Sequence, residues 1–134
     1  MYSYNIDNLK RIAITSNVNH KHAAALLYNK TDIVTYAINK YIKKGIYFKT
    51  IHAEINLLHK IKNTKFSGLD IIVIRVNENS NKLLNSRPCN NCIDILKSKG
   101  IRKVHYSTSD GNIVIEYVQN MDKLHVSSWN RNML

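Results

Sequence analysis

The chain has 134 residues, of which 22% are charged and 44% hydrophobic, and its formal net charge is +11 at pH 7. This length predicts one domain, residues 1–134, with a hydrophobic core of its own. The sequence lacks a run of about 18 apolar residues that could span a membrane, and residues 1–11 lack the apolar segment of a signal peptide. We therefore expect a cytoplasmic protein without a membrane partner, and the positive charge suits a polyanionic partner such as nucleic acid.

The first part of the sequence predicts a helix followed by a β-hairpin. Apolar residues at helical spacing indicate a helix over 7–17. Two apolar runs, 21–28 and 32–38, predict strands, and the polar residues 29–31 predict the turn between them. Residues 39–48 are rich in lysine and have no clear apolar pattern, so we expect an irregular basic segment there.

Helices and strands alternate in the middle of the chain. Residues 52–63 place apolar side chains at helical spacing, and 69–76 contain the continuous Ile-Ile-Val-Ile run of a buried strand. A polar loop, 77–87, leads to a helix over 88–99, which Gly100 is suited to end in a left-handed conformation. This alternation predicts parallel strands joined by a helical crossover.

The last part predicts two antiparallel strands, 101–107 and 113–118. The connection between them is short and contains Asp110-Gly111, a tight-turn signal, and so short a connection forces antiparallel pairing. The tail, 119–134, has room for a short helix. The resulting order, α-β-β-α-β-α-β-β, predicts an α/β protein, a single three-layer α-β-α domain around a mixed five-stranded sheet.

Two short motifs carry the chemistry of this sequence. His52-Ala53-Glu54 begins one predicted helix, and Pro88-Cys89-Asn90-Asn91-Cys92 begins the next. Proline suits the first helical position because the amide there has no intrahelical partner, which would put both cysteines on one face of the first turn. One imidazole and two thiolates can hold a catalytic zinc ion with its fourth position left to water. The carboxylate of Glu54 then lies beside the metal for proton transfer.

Other roles for these residues remain open on sequence alone. Another histidine could be the fourth ligand of a structural zinc site. The candidates are His20, His22, His59, His105 and His125. A redox Cys-x-x-Cys pair lacks an activating neighbour here, and an internal disulfide does not suit a reducing compartment.

Together, the two motifs resemble the signature of the zinc-dependent cytidine and deoxycytidylate deaminases, H-x-E followed by P-C-x-x-C. The resemblance runs from about residue 7 to residue 118 and implies the cytidine deaminase-like fold. It also implies Zn²⁺ as cofactor, with His52, Cys89 and Cys92 as its ligands and Glu54 as the catalytic acid and base. The implied reaction is the hydrolytic release of ammonia from cytosine or adenine.

The resemblance further implies residues that contact the substrate. In cytidine deaminases an Asn at the end of the second strand hydrogen-bonds the sugar, and Asn39 occupies that place. The other interpretation of Asn39 is a turn residue that bonds the nearby backbone. The backbone of Ala53 and the segment beginning at Ser86 are expected to line the base pocket.

Features that distinguish the deaminase subfamilies point in different directions. Tyr41 occupies the position at which cytidine deaminases have a Glu that binds the ribose. The lysines between Lys40 and Lys49 have two interpretations: they could bind a phosphate group of the substrate, or they could form a solvated surface. The tight turn after residue 107 resembles cytidine deaminases. The histidine before Ala-Glu instead resembles the deoxycytidylate and transfer RNA enzymes.

Three functions are compatible with the sequence. The first is deamination of a free cytosine nucleoside or nucleotide by a homo-oligomer, which the small size of the chain favours. The second is deamination of cytosine or adenine in single-stranded DNA or RNA, favoured by the charge, although 1 Trp and 2 Phe leave mainly the 8 Tyr to stack on bases. The third is a zinc-bearing binding module without turnover.

Overall fold

The computed structural model describes residues 6–28, 32–61 and 68–121. Within these ranges the chain forms three α-helices, eight β-strands and a short 3₁₀ helix. In chain order they are α1 (Ile6–Ile14), β1 (Lys21–Tyr28), β2 (Asp32–Ile38), β3 (Lys40–Lys44), β4 (Tyr47–Ile51), α2 (Ala53–Lys60), β5 (Asp70–Val76), β6 (Leu83–Leu84), α3 (Asn90–Ser98), β7 (Lys103–Ser107), β8 (Ile113–Tyr117) and the 3₁₀ helix (Val118–Asn120).

Five strands form the central sheet in the order β2-β1-β5-β7-β8, and β6 extends it by pairing with the end of β5. Strand β1 runs antiparallel to β2 and β5, β7 is parallel to β5, and β8 is antiparallel to β7. The parallel step is possible because α3 carries the chain across the sheet between β5 and β7. The predicted mixed sheet and its antiparallel last pair are confirmed.

One face of the sheet is covered by α1. Side chains of a strand point alternately to opposite faces, and Ala23, Ala25 and Leu27 of β1 pack here with Leu9 and Ala13 of α1. All five side chains are at most 1% exposed. This apolar burial fixes the register of β1, because a shift by one residue would turn the opposite set of side chains toward α1.

The other face, called here the α2/α3 face, is covered by the remaining two helices. Ala24 and Leu26 of β1 pack on this side with Leu57 of α2 and with Ile93 and Leu96 of α3. Helices on both faces bury β5 from both directions, which explains its uninterrupted apolar run. The predicted three-layer α-β-α architecture is confirmed, while the assignment of residues 1–134 to one domain stays a prediction.

The segment expected to be irregular is instead a regular β-hairpin. Strands β3 and β4 pair antiparallel from Lys40 opposite Ile51 to Lys44 opposite Tyr47. The turn contains Gly45 with φ 61°, a left-handed conformation that costs glycine little. The prediction of an irregular segment over 39–48 was wrong because lysines occupy both faces of the hairpin, so no apolar face marks the strands.

The start of α3 also differs from the prediction. Cys89, with φ −70° and ψ 168°, is the N-cap, and Asn90 is the first helical residue. Pro88 therefore precedes the N-cap and does not occupy the first helical position. At the other end, Gly100 has φ 75°, so the predicted left-handed residue after the helix is confirmed.

The remaining predicted elements agree with the structure: β1 and β2 have the predicted bounds, and the others are shorter than predicted. The expected loop 77–87 contains the two-residue strand β6. The predicted turn 29–31, the last residues of the helix predicted over 52–63, and the tail beyond residue 121 lie outside the described residues. Among the helices that the structure describes, none is long and apolar enough to cross a membrane.

Candidate metal centre and active site

His52 and Cys89 occupy equivalent positions at the starts of α2 and α3. Each is an N-cap in extended conformation whose side chain makes no capping hydrogen bond. Their carbonyl groups accept the first helical hydrogen bonds, from the amides of Asn56 and Ile93, each at 2.9 Å. N-caps are usually Ser, Thr, Asp or Asn, so an imidazole and a thiol at these positions are placed for a role other than capping.

The ligand atoms of His52, Cys89 and Cys92 lie close together. His52 Nδ1 is 3.2 Å from Cys92 Sγ and 3.7 Å from Cys89 Sγ, and the two sulfur atoms are 3.5 Å apart. Zinc bonds of about 2.3 Å to sulfur and about 2.0–2.1 Å to nitrogen in a tetrahedron imply ligand–ligand distances of roughly 3.5–3.8 Å. Two of the three distances lie in this range and the distance from His52 Nδ1 to Cys92 Sγ is shorter, so the three atoms are close enough to share one zinc ion.

The electrostatics of the cluster also fit a divalent cation. Hydrogen bonding with Cys92 lowers the pKa of the Cys89 thiol, with His52 adding to the effect, and the same contact raises the pKa of Cys92. The hydrogen bond with Cys89 in turn raises the pKa of His52. The positive charge of His52 therefore stabilises one thiolate, that of Cys89. A second thiolate, at Cys92, would need additional positive charge nearby to be stable. Thiolate and imidazole are ligands that suit Zn²⁺, which supplies that charge.

Glu54 lies beside these ligands in the first turn of α2. It is 4% exposed, and its carboxyl group is within hydrogen-bonding reach of Cys92. Burial raises the pKa of Glu54, although the positive charge of His52 opposes the shift. A carboxyl group with a raised pKa can accept and release a proton closer to neutral pH, as a general acid and base must.

Comparison with known families identifies this arrangement. Residues 5–108 match the family model described as the cytidine and deoxycytidylate deaminase zinc-binding region. The chain belongs to this family. The predicted resemblance is confirmed, and the His52, Cys89 and Cys92 cluster fits the Zn²⁺ cofactor that the family description names.

Solved structures of deaminases share the fold at low sequence identity. The dCMP deaminase from the cyanophage S-TIM5 in apo form has a TM-score of 0.57 and 21% identity, covering 79% of this chain and 82% of that one. Cytidine deaminase from Burkholderia pseudomallei has a TM-score of 0.62 and 16% identity, covering 86% and 91%. The phage enzyme in complex with dCMP and dUMP has a TM-score of 0.53 and 17% identity, covering 75% and 73%. The predicted cytidine deaminase-like fold is confirmed.

Comparison with curated protein sequences gives no match. The family assignment consequently depends on the match of residues 5–108 to the family model.

Both polar atoms of the Asn39 side-chain amide form hydrogen bonds with the backbone at the start of β1. Its Nδ2 donates a hydrogen bond to the carbonyl of His20 at 2.6 Å, and its Oδ1 accepts one from the amide of His22 at 3.1 Å. It is 4% exposed and lies directly after β2, close to α2, where Asn56 Nδ2 donates to the carbonyl of Ile38 at 2.8 Å. The structure thus gives Asn39 a clear backbone role, and its contact with a sugar stays a prediction.

Ser86 and Ala53 lie at the approaches to the two helix starts. The Ser86 hydroxyl donates to the carbonyl of Val73 at 2.7 Å and accepts from the amide of Ser107 at 2.8 Å. These bonds tie the loop before Cys89 to β5 and β7, so the hydroxyl is occupied within the fold. Ala53 is the first residue of α2 and is 1% exposed.

The histidines considered as a fourth zinc ligand lie elsewhere or outside the described residues. His105 is fully buried and bonds Asp70 at 3.3 Å, His59 is exposed in the last turn of α2, and His125 is not described. In the described ranges, the group of side chains that could hold one metal ion consists of His52, Cys89 and Cys92, and three protein ligands are the number typical of a catalytic zinc site.

A second cluster, which the sequence patterns do not reveal, lies near this centre. On sequence alone, His20 and His22 are candidates only for a zinc ligand, and no motif marks Arg75. In the structure, Arg75 Nη2 donates to His20 Nδ1 at 2.7 Å, and Arg75 lies opposite His22 in the β1–β5 register. Strand alternation could have assigned the faces of these residues, but only the register brings them together.

Proposed function

We propose that this chain is a zinc-dependent hydrolytic deaminase that converts the cytosine of a free nucleoside or nucleotide to uracil and releases ammonia. The observation that carries the proposal is the convergence of His52 Nδ1, Cys89 Sγ and Cys92 Sγ, all within 4.8 Å of one another, with buried Glu54 beside them. Family membership supports the deaminase class, and the phage dCMP deaminase bound to dCMP and dUMP supports a nucleotide-sized ligand.

In this proposal His52, Cys89 and Cys92 hold the metal. When bound, Zn²⁺ would lower the pKa of a coordinated water to about 7, which makes that water a nucleophile at neutral pH. Glu54 accepts one proton of the attacking water and passes it to the ring nitrogen of cytosine. It then takes the remaining proton of the added hydroxyl and gives it to the amine, which leaves as ammonia when its bond to the ring carbon breaks. The burial of Glu54 keeps bulk water from competing for that proton.

The substrate contacts belong to the same proposal. The backbone at Ala53 and at Ser86 lines the base pocket, because these residues precede or begin the two helices that carry the metal ligands. Asn39 orients the sugar directly or by fixing the segment at His20 and His22, to which it is bonded. The expected homo-oligomer stays a prediction.

The test is a substrate screen with the purified, zinc-loaded protein. Cytidine, deoxycytidine, their monophosphates, single-stranded DNA and transfer RNA are incubated separately, and ammonia and the deaminated base are measured. We expect one zinc per chain, uracil from a nucleoside or nucleotide, and loss of zinc in a Cys89→Ser, Cys92→Ser double variant. Full zinc content with no turnover of any substrate would contradict the proposal and favour a binding module.

A polynucleotide deaminase is the second candidate, favoured by the β3–β4 hairpin. This hairpin exposes Lys40, Lys43 and Lys49 together with Tyr41, which is 40% exposed. Lysines that follow a phosphate backbone and tyrosines that stack on bases are the usual elements of single-strand binding. Turnover of single-stranded DNA or transfer RNA at higher kcat/KM than any free nucleotide would favour this candidate.

A further inference from the structure

Arg75 and His22 face each other at one end of the central sheet. They are opposite residues in the antiparallel β1–β5 pair, so their side chains point to the same face. Ala24 and Val73, two residues away along each strand, pack in the core on the α2/α3 face. By strand alternation, Arg75 and His22 lie on this face too, where α2 and α3 begin with the proposed zinc ligands.

His20 completes a group that we call the Arg75 cluster, consisting of Arg75, His20 and His22. Arg75 Nη2 donates a hydrogen bond to His20 Nδ1 at 2.7 Å, and His22 Nδ1 lies 3.2 Å from the carbonyl of His20. The two bonds from Asn39 fix the backbone that carries both imidazoles. Arg75 and His22 are half-buried and His20 is exposed, so the cluster is held in place and open on one side.

The Arg75 cluster lies near the proposed metal centre. Burial lowers the pKa of His22 to about 4, and the positive charges of Arg75 and His52 add to this effect. His52, a proposed zinc ligand, is thus within electrostatic range of His22. The packing agrees, because Asn56 in the first turn of α2 bonds the carbonyl of Ile38, the residue before Asn39.

The cluster carries positive charge that the described carboxylates do not neutralise. Within residues 6–28, 32–61 and 68–121, Arg75 forms no ion pair with a carboxylate. Glu78, three residues beyond Arg75, pairs with Lys21 at 3.6 Å, and Glu54 lies beside Cys92. Because none of the described carboxylates pairs with Arg75, its guanidinium and the neighbouring imidazoles on an open face form a suitable site for an anion. The guanidinium fork matches phosphate oxygens in particular.

We propose that Arg75, assisted by His20, binds the phosphate of the substrate, so that the enzyme prefers a cytosine nucleoside monophosphate to the matching nucleoside. This inference rests on the proposed function, since it assigns the phosphate of that substrate to a place beside the same metal centre. It gives the role of phosphate ligand to Arg75 and not to the exposed lysines of the β3–β4 hairpin.

The first experiment compares kcat/KM for a nucleoside and its monophosphate in three proteins. The wild type should prefer the monophosphate by about 10–100-fold, the range expected for charge-assisted hydrogen bonds. Arg75→Gln should reduce the preference to below about threefold, and Arg75→Lys should retain part of it, because lysine keeps the charge but loses the fork. Zinc content and melting temperature show whether each variant is folded.

The matched control is Arg11→Gln. Arg11 is an exposed arginine of α1, which covers the opposite face of the sheet, so this change removes the same charge away from the cluster. We expect it to leave the preference unchanged. An equal loss of preference in Arg11→Gln and Arg75→Gln would overturn the proposal, as would a wild type that uses nucleoside and monophosphate equally well.

The second experiment does not depend on deamination. Ribose 5-phosphate is titrated into the zinc-loaded wild type and into Arg75→Gln, and binding is followed by the NMR signals of the histidine rings. Binding by the wild type that weakens at least tenfold in the variant supports the phosphate site even if no cytosine substrate is turned over, in which case the proposed function alone fails. Deamination without Arg75-dependent binding would leave the function and overturn this inference.

A further measurement with a single-stranded oligonucleotide distinguishes the phosphate of a free nucleotide from a phosphodiester of a polynucleotide. If the loss in Arg75→Gln appears only with a single-stranded oligonucleotide and not with the monophosphate, Arg75 contacts a phosphodiester and the proposed preference for a free nucleotide is wrong.

Discussion

Glu54 is the residue on which turnover should depend most directly. Replacing it by glutamine keeps the shape of a side chain that is 4% exposed but removes its capacity to accept a proton. We expect Glu54→Gln to lower kcat by a factor of about 10²–10⁴, the usual contribution of a general acid or base. Ammonia release under substrate saturation measures this loss.

Zinc content is the control for Glu54→Gln. Glu54 is not among the three residues assigned to the metal, so the variant should still hold one zinc per chain. Activity within tenfold of the wild type at full zinc content would remove Glu54 from the proposed mechanism.

Asn39 is the residue whose structural role is best defined by contacts. Asn39→Ala removes the two hydrogen bonds that hold the backbone at His20 and His22, leaving a partly buried amide and carbonyl less well paired. We expect the free energy of unfolding to fall by about 1–3 kcal/mol, and kcat/KM to fall for both the nucleoside and the monophosphate. Denaturant unfolding and steady-state kinetics on the two substrates measure these effects.

Asn77→Ala is a suitable control for Asn39. Asn77 Oδ1 accepts hydrogen bonds from the amides of Asn79 and Ser80 in the loop after β5, so the control also loses bonds between an asparagine side chain and the backbone. It should cost stability without lowering kcat/KM comparably. Wild-type stability and activity in Asn39→Ala would assign it neither a structural nor a substrate role.

The β3–β4 hairpin exposes three lysines that could contact a large anion. If polynucleotide binding uses this element, replacing Lys40, Lys43 and Lys49 by serine should reduce the dependence of log Kd on log salt concentration. Each lost phosphate contact lowers the slope by about 0.7 for a single strand, so the three changes together should lower it by up to about 2. The slope is measured by fluorescence anisotropy of a labelled oligonucleotide at NaCl concentrations between about 50 and about 300 mM. Counterion release has a measurable effect on binding over this range.

An equal number of lysines outside the hairpin provides the control. The residues to change are Lys60, Lys82 and Lys99, all exposed. If their replacement lowers the slope as much as the hairpin changes do, binding depends only on net charge. The β3–β4 hairpin then has no specific part in it.

The stability of the whole molecule should depend on pH through buried histidines. His105 is fully buried beside Asp70, which is 2% exposed, and burial lowers the pKa of His105 although Asp70 opposes the shift and Lys103 and Arg102 add to it. The folded state therefore favours neutral His105. The contribution is complete above the unfolded pKa of about 6.5 and is lost as the pH falls below it.

His105→Gln tests this pH dependence. Glutamine stays neutral and can still donate a hydrogen bond to Asp70, so the decrease in unfolding free energy between about pH 7.5 and 5.5 should be shallower in the variant, by up to about 1.4 kcal/mol per pH unit below 6.5. Both proteins are compared with zinc in excess, so that metal loss does not contribute a difference. The same decrease in both would show that His105 titrates alike in the folded and unfolded states.

Much of the fold could be predicted because local patterns agree with the packing. The strands at 21–28 and 32–38 were predicted with the bounds observed in the structure, since apolar runs bounded by polar turn residues mark strands that are buried on at least one face. The β3–β4 hairpin could not be recognised in this way. Its lysines lie on both faces, so the alternation of apolar and polar residues that marks a half-buried strand is absent.

The sequence by itself determined the chemistry of the metal centre. One imidazole, two thiols and a carboxyl group at these spacings suit a single metal ion and a proton carrier, and the helical pattern after each motif places them at helix starts. The tertiary structure decided that the two helix starts meet and that His52 and Cys89 are the N-caps. It also brought Arg75 to His20 and His22, because the β1–β5 register joins residues more than 50 positions apart, a distance over which no local pattern operates.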